Sequence, residues 1–155
     1  GQSCGFDCTD DSTSILSVGE LLNRLTEIGK LPKTILYPLD AAKQENFAIL
    51  AAGFCEGGTR AKVQLGAPWW FNDHVYGLER QFQAVANLYP ISLSVGMLTD
   101  SRSFISYPRH ELYRRVLCNY FGMLVERGEY FGSEETLQKV IQNICYYNVK
   151  DFFGF

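Results

Sequence analysis

The sequence predicts an α/β fold in which short strands alternate with helices. Three apolar runs, at 33–39, 61–66 and 91–98, are typical of buried strands. Their starts lie 61−33 = 28 and 91−61 = 30 residues apart, which is about the length of one strand-helix-strand unit. Because a helical pattern lies between successive runs, the connections are crossovers and the predicted sheet is parallel.

Three helices are predicted before the third strand. The first covers 17–30, where Ser17 and Glu20 form a capping-box pattern and apolar residues then recur at helical spacing. The second covers 41–55 and the third covers 73–89, and each carries its apolar residues on one face.

Two further helices follow the third strand without a strand between them. One covers 108–128, with Pro108 at its first helical position, and the other covers 133–153, with Ser133 as its N-cap. This order fits either a small three-layer sandwich or part of a (β/α)₈ barrel. A complete barrel takes about 250 residues. The 155 residues of this chain would therefore form only part of a barrel.

Composition limits the classes of partner. The length of 155 residues fits one domain, and 46% of the residues are hydrophobic, which is ample for a core. A net charge of −3 and scattered Lys and Arg argue against nucleic acid and against an anionic membrane surface. No apolar stretch approaches the ~20 residues of a bilayer span. We therefore expect neither nucleic acid nor a membrane as a partner.

The five cysteines favour a reducing compartment. Cys55, Cys118 and Cys145 lie in apolar helical patterns, which suits reduced, buried thiols in a cytoplasmic protein. Cys4 and Cys8 are spaced C-x₃-C without a second pair, so zinc at these two residues is not favoured.

Polar and aromatic residues follow the first two predicted strands, at the ends where parallel sheets carry active sites. Asp40 follows the first strand and is a natural N-cap for the next helix. Trp69 and Trp70 follow the second, and they belong either to the core or to a site. Asn72 or Asp73, just beyond them, could cap the helix that begins there.

The third predicted strand ends in "TDSRSF", which is harder to explain as a turn or a cap. A cap would use Asp100 but not Arg102, and the next helix begins only near Pro108. An arginine suits planar, bidentate binding of a carboxylate, and an aspartate suits a metal ion or a hydroxyl proton. Asp100 and Arg102 are therefore candidate site residues.

Four segments of the chain resemble the uronate isomerase family, also called glucuronate isomerase. The most specific are "WWFND" within "KVQLGAPWWFND" and "GMLTDSRSF" through "RHELYRR"; the others are "LPKTILY" and "ICYYNVKDFF". The resemblance runs from about Gly5 onward. Pro68 departs from it, where a small Gly- or Ser-like residue would be expected.

The resemblance implies a fold and a set of site residues. It implies that residues 1–155 form a single unit, the C-terminal part of a (β/α)₈ TIM barrel of the metal-dependent-hydrolase type, in the amidohydrolase superfamily. The part would consist of about three strand-helix units plus extra C-terminal helices, with the N-terminal strands absent. Asp100 would be the catalytic residue and a metal ligand, the latter only together with histidines missing from this chain. Arg102, Trp69 and Trp70 would bind substrate.

The same resemblance implies an activity. The full-length enzyme would interconvert D-glucuronate with D-fructuronate and D-galacturonate with D-tagaturonate, in bacterial glucuronate catabolism in the cytoplasm. It would be a homo-oligomer and could use a divalent metal such as zinc, whereas this chain alone is expected to bind no cofactor and to be inactive. Two alternatives stay open: another hydrolase of the amidohydrolase superfamily, or a non-catalytic truncated binding module.

Overall fold

The computed structural model describes residues 14–55 and 58–155, and within them helices surround one small parallel sheet. Strand β1 (Thr34–Leu36) pairs with strand β2 (Val63–Leu65), with Thr34 opposite Val63 and Leu36 opposite Leu65. Both strands lie inside the predicted runs and are shorter than predicted. The parallel pairing joined by a helical crossover is confirmed.

Six α-helices accompany this sheet in the described residues. They are α1 (Ile15–Glu27), α2 (Gln44–Gly53), α3 (Val75–Leu88), α4 (Arg109–Glu126), α5 (Glu134–Gln142) and α6 (Asn148–Phe153). Four single 3₁₀ turns lie at Ala41–Lys43, Trp70–Asn72, Ile91–Leu93 and Phe104–Ser106. A π-helical stretch, Asn143–Tyr147, joins α5 to α6, so the last predicted helix contains a local widening.

Two of the predicted helix caps are confirmed. The Asp40 carboxylate accepts the backbone N–H of Ala42 at 2.9 Å, where the chain turns from β1 towards α2. The Ser133 hydroxyl accepts the N–H of Thr136 at 3.2 Å and begins α5. In both cases a short polar side chain satisfies a backbone donor that the first turn leaves unpaired.

The starts of α1 and α4 differ from the prediction. Ser17 does not cap α1, because the helix already begins at Ile15 and the Ser14 hydroxyl accepts the N–H of Leu16 at 3.2 Å. Pro108 occupies the N-cap position of α4 instead of its first helical position. Each correction moves a boundary by a few residues, which is the least determined feature of a helical pattern.

The prediction that Asn72 or Asp73 caps α3 is wrong. His74 is the cap, and its Nδ1 accepts the N–H of Gly77 at 3.2 Å. Asn72 is buried, and its side-chain amide donates to the carbonyl of Leu39 at 2.8 Å. The Asn72 side chain therefore ties the chain after β2 to the chain after β1.

The prediction of a third strand at 91–98 is also wrong. A 3₁₀ turn covers Ile91–Leu93, and the residues after it pair with neither β1 nor β2 in a backbone ladder. The N–H of Val95 donates to the side-chain oxygen of Gln64 at 3.1 Å, where a strand would use a backbone carbonyl of β2. Because a side chain takes the place of the ladder, the segment lies beside β2 without becoming a strand.

The other side of this segment is held by the C-terminal helices. The Asn148 side-chain amide donates to the carbonyls of Ser92 at 2.7 Å and Ser94 at 2.8 Å. Gly96 has a φ of +75° and lies so close to the Ile144 carbonyl that a Cβ there would be 2.3 Å from the oxygen. Glycine is therefore required at this close approach.

The hydrophobic core of the described residues consists of three clusters, two of which include residues of β2. One joins α1 to α2 and β2, the second joins α2 and β2 to α3, and the third joins α3 and α4 to the C-terminal helices. Their buried centres include Leu22, Ala51 and Val63, then Phe47, Leu65 and Val85, then Leu78, Phe82, Leu117 and Ile144. All of β2 is buried and the segment 91–98 lies beside it, whereas β1 is half-buried, so β1 is the more open of the two strands of the described sheet.

The cysteine prediction is only partly correct. Cys55, Cys118 and Cys145 are free thiols, but Cys55 and Cys118 are exposed and Cys145 is half-buried. Cys4 and Cys8 lie outside the described residues.

None of the helices within residues 14–55 and 58–155 has the length and apolar character needed to cross a membrane.

Two helical glycines allow a matched test of the packing at the start of α3. A Cβ on Gly77 would lie 1.9 Å from the backbone oxygen of Asn72, whereas a Cβ on Gly122 in α4 meets nothing within 4 Å. We expect Gly77→Ala to lower the free energy of unfolding by about 1–3 kcal/mol, the usual cost of overpacking. Gly122→Ala should raise it by about 0.5–1 kcal/mol through helix propensity. Urea denaturation followed by circular dichroism measures both, and equal effects would contradict this packing.

Candidate functional site

Two loops form a cavity of about 390 Å³ at the ends of β2 and of the segment beside it. The Trp loop (residues 69–73) follows β2, and the Asp loop (residues 99–103) follows the segment held by Gln64. The cavity therefore brings together all four site residues predicted from the sequence, and adds others: its lining is Trp69, Trp70, Asp73, Thr99, Asp100, Arg102 and Arg109.

The charged groups of the Asp loop have no neutralising partner in the part of the chain that the structure describes. Among residues 14–55 and 58–155, neither the Asp100 carboxylate nor the Arg102 guanidinium takes part in a hydrogen bond or ion pair, and both residues are exposed. Nearby, the Ser101 hydroxyl donates to the Thr99 hydroxyl at 2.7 Å. A carboxylate and a guanidinium thus face the same cavity with their hydrogen-bonding capacity unused.

The Trp loop presents aromatic surface to the cavity. The ring centroids of Trp69 and Trp70 lie 5.2 Å apart in an edge-to-face arrangement, and Trp70 stacks on Phe71 at 5.6 Å. Trp69 is half-buried and Trp70 is 39% exposed. Of the two roles that the sequence left open for this pair, a place in the core does not fit Trp70.

Both loops contain a residue in the left-handed backbone region. Trp70 has a φ of +51° and Asp100 a φ of +45°, and among the described non-glycine residues only Ala61 shares this feature. Such a conformation costs about 1–3 kcal/mol and persists only where the surrounding structure enforces it. Residues of this kind concentrate at functional sites, which supports a functional role for this cavity.

Arg109 connects the two loops and was missed by sequence reasoning. From the first turn of α4 its guanidinium forms an ion pair with Asp73 and donates to the Thr99 carbonyl at 2.6 Å. One signal could have identified it: a cation at a helix N-terminus opposes the helix dipole. An arginine at that position is therefore expected to have a specific partner.

A smaller cavity of about 230 Å³ adjoins the first and is lined by Tyr37, Trp69, Leu98 and Asp100. Burial raises the pKa of the Tyr37 phenol, so the side chain stays neutral and can donate a hydrogen bond. Asp40, the polar residue after β1, lies elsewhere, in a cavity with Gln44 and Arg80.

The described residues do not form a metal centre by themselves. Within 14–55 and 58–155 there is no group of three or more His, Cys, Asp or Glu side chains that could surround an ion. The site instead offers one free carboxylate, one free guanidinium and an aromatic wall. These groups suit a small polar ligand that carries a carboxylate and hydroxyl groups.

Comparison with known proteins identifies relatives along the whole chain. A family model described as glucuronate isomerase matches residues 1–153. The uronate isomerase of Clostridium perfringens is 48% identical over 153 residues, covering 99% of this chain and 33% of the relative. That of Shouchella clausii is 48% identical over 155 residues, covering 100% and 33%. The chain thus spans about a third of the length of the curated relatives it matches.

Solved structures agree with the sequence comparison. The uronate isomerase of Thermotoga maritima superposes with a TM-score of 0.75 and 31% identity, over 88% of this chain and 29% of that one. The glucuronate isomerase of Caulobacter crescentus gives a TM-score of 0.74 with 25% identity, over 92% and 28%.

Proposed function

Because this chain belongs to the glucuronate isomerase family, we propose that it is one part of a uronate isomerase and carries one side of its active site. Residues 1–155 would form a single unit, the C-terminal part of a (β/α)₈ barrel. The full-length enzyme would interconvert D-glucuronate with D-fructuronate and D-galacturonate with D-tagaturonate. The observation that supports this most is the cavity that Asp100 and Arg102 line, where both lack partners among the described residues.

Asp100 would carry the proton chemistry. Conversion of an aldose to a ketose removes a proton from C2 and returns one to C1, while the C2 hydroxyl loses its proton and the polarised C1 carbonyl oxygen gains one. A carboxylate near C2 can accept the proton from C2 or orient the C2 hydroxyl. Asp100 suits either task, because it is exposed and lines the cavity.

Arg102 and the two tryptophans would hold the substrate. A uronate differs from a neutral sugar by its carboxylate, and a guanidinium binds a carboxylate through two parallel hydrogen bonds. Trp69 and Trp70 would pack against the C–H groups along the carbon chain of the open-chain sugar. Fixing both ends of the substrate accelerates the reaction by placing C2 beside Asp100.

A divalent metal such as zinc is proposed only for the full-length enzyme. Asp100 would contribute one ligand, and histidines from other parts of the full-length enzyme would contribute the rest. This chain contains two histidines. His74 is engaged as the cap of α3, and His110 does not line the cavity.

Other features of the full-length enzyme follow as proposals. The relatives are bacterial proteins, which supports a role in bacterial sugar-acid metabolism. We propose a cytoplasmic location, supported by the three free thiols, and a homo-oligomeric assembly. The match to the isomerase family across nearly the whole chain favours isomerisation over hydrolysis.

The first test compares the full-length protein with this chain alone. Expressed in a host that lacks its own isomerase, the full-length protein should convert D-glucuronate, measured by reduction of the ketose product with a coupled dehydrogenase. The 155-residue chain should show no turnover, because its two histidines, His74 and His110, are not spaced as a His-x-His pair and neither lines the cavity. An inactive but folded full-length protein would contradict the proposed function, and turnover by the chain alone would contradict the need for other parts.

The second test concerns Asp100. In the full-length enzyme, Asp100→Asn should lower kcat at least ~10²-fold, the usual range for losing a general acid or base. Asp151→Asn, an equally conservative change on the exposed surface of α6, should leave kcat unchanged. If the Asp100 variant stays within a few-fold of wild type, Asp100 takes no part in proton transfer.

The third test concerns the open edge of the sheet. In a complete barrel β1 would be covered on both sides, but in the described residues it pairs with β2 alone. The segment 91–98 is not a strand and its Ser92 and Ser94 carbonyls are occupied by Asn148, so β1 is the edge at which we expect self-association of the isolated chain.

Sedimentation at several concentrations measures this association. Ile35→Lys in β1 should reduce it, because a charge on an edge strand opposes pairing with another chain. Ile49→Lys, at a 56% exposed position of α2, should not. A monodisperse wild-type monomer that unfolds cooperatively would favour a self-contained small domain over part of a barrel.

A further inference from the structure

We propose that Arg109 is a positioning residue that fixes the Trp loop and the Asp loop to each other, and so sets the distance between the aromatic wall and Asp100. This inference rests on the proposed function for its meaning. Arg109 lines the cavity, but its charge is paired with Asp73, so its role differs from that of a ligand-binding arginine.

The two arginines of the cavity differ in their partners. The Arg109 guanidinium is occupied by the Asp73 carboxylate and the Thr99 carbonyl, the latter at 2.6 Å. The Arg102 guanidinium has no partner among residues 14–55 and 58–155. The Asp73 carboxylate already balances the charge of Arg109, so this guanidinium attracts a substrate carboxylate less strongly than the unpaired Arg102 does. Arg102 is therefore suited to binding the substrate carboxylate, and Arg109 to holding the two loops together.

The two partners of Arg109 lie at the ends of the two loops. Asp73 is the last residue of the Trp loop, and Thr99 is the first of the Asp loop, directly before Asp100. Arg109 itself belongs to a third element, the first turn of α4. One guanidinium thus joins three separate parts of the chain, and its planar fork of donors is the group that can serve two acceptors at once.

Burial makes this contact more effective than a surface ion pair. The Asp73 side chain is 11% exposed and that of Arg109 is 34% exposed, so solvent screens the pair only in part. By contrast, Arg115 and Glu111 form an ion pair on the same helix with side chains 76% and 56% exposed. Exposed pairs of this kind contribute little.

The two residues with strained backbones indicate what the contacts of Arg109 stabilise. Trp70 and Asp100 both have positive φ angles, and each lies in a loop that Arg109 holds. A left-handed backbone at a non-glycine residue relaxes unless neighbouring contacts enforce it. Loss of Arg109 should let both loops relax and move Asp100 away from its working position.

Kinetics of the full-length enzyme test the positioning role. Arg109→Met and Asp73→Asn should each lower kcat/KM at least about tenfold, mostly through kcat, because small displacements of a catalytic group are costly. The double variant should resemble Arg109→Met within twofold. Arg109→Lys should recover part of the loss, since an ammonium can pair with Asp73 but lacks the fork that reaches both partners. Arg115→Met on the same helix is the matched control and should stay within twofold of wild type.

The outcomes separate this inference from the proposed function. Single variants within twofold of wild type, independent losses that multiply in the double variant, or an effect on KM alone would overturn it. If the wild-type enzyme turns over no uronate, the proposed function fails, and thermal unfolding still tests the contact. Each single variant should then lower Tm by about 2 °C or more, with the double variant no lower than the worse single one. Additive shifts would show that Arg109 and Asp73 act separately.

Discussion

The hydrogen bond from the N–H of Val95 to the side chain of Gln64 is the interaction on which the candidate site depends. Gln64 is completely buried in β2, and its amide also donates to the Ala61 carbonyl at 3.0 Å. A buried amide that lost its partner would cost about 1–3 kcal/mol. This bond holds the segment before the Asp loop against β2, and Asn148 holds the same segment from the other side. The direction in which the Asp loop leaves the sheet follows from these two contacts.

The four charged residues of the site have two different roles. Asp73 and Arg109 neutralise each other and join the loops, while Asp100 and Arg102 line the cavity and have no partner within residues 14–55 and 58–155. Buried Asn72 ties the Trp loop to the chain that follows β1, so that segment, the Trp loop and the Asp loop are all connected. Contacts that fix the two loops while leaving two charges unpaired suit binding and proton transfer, because the backbone that carries those charges is already in place when the ligand arrives.

Sequence patterns predicted the helices, the parallel pair of strands and the caps at Asp40 and Ser133, because these features depend on local periodicity and short-range hydrogen bonds. The resemblance to uronate isomerases identified the family and brought forward the four residues that meet in the cavity. The third strand was mispredicted because Gln64, a residue about thirty positions away, takes the place of the backbone ladder. Arg109 was missed for the same reason, since its partners lie on two distant loops.

A crystal structure of the full-length enzyme with D-glucuronate bound would test the central claim most directly, namely that the unpaired charges of the Asp loop receive the substrate. The substrate carboxylate should lie on the Arg102 guanidinium, with the C2 hydroxyl or C2 itself within about 2.6–3.2 Å of the Asp100 carboxylate or linked to it by one water. A uronate bound with its carboxylate on another group and with C2 remote from Asp100 would contradict the account.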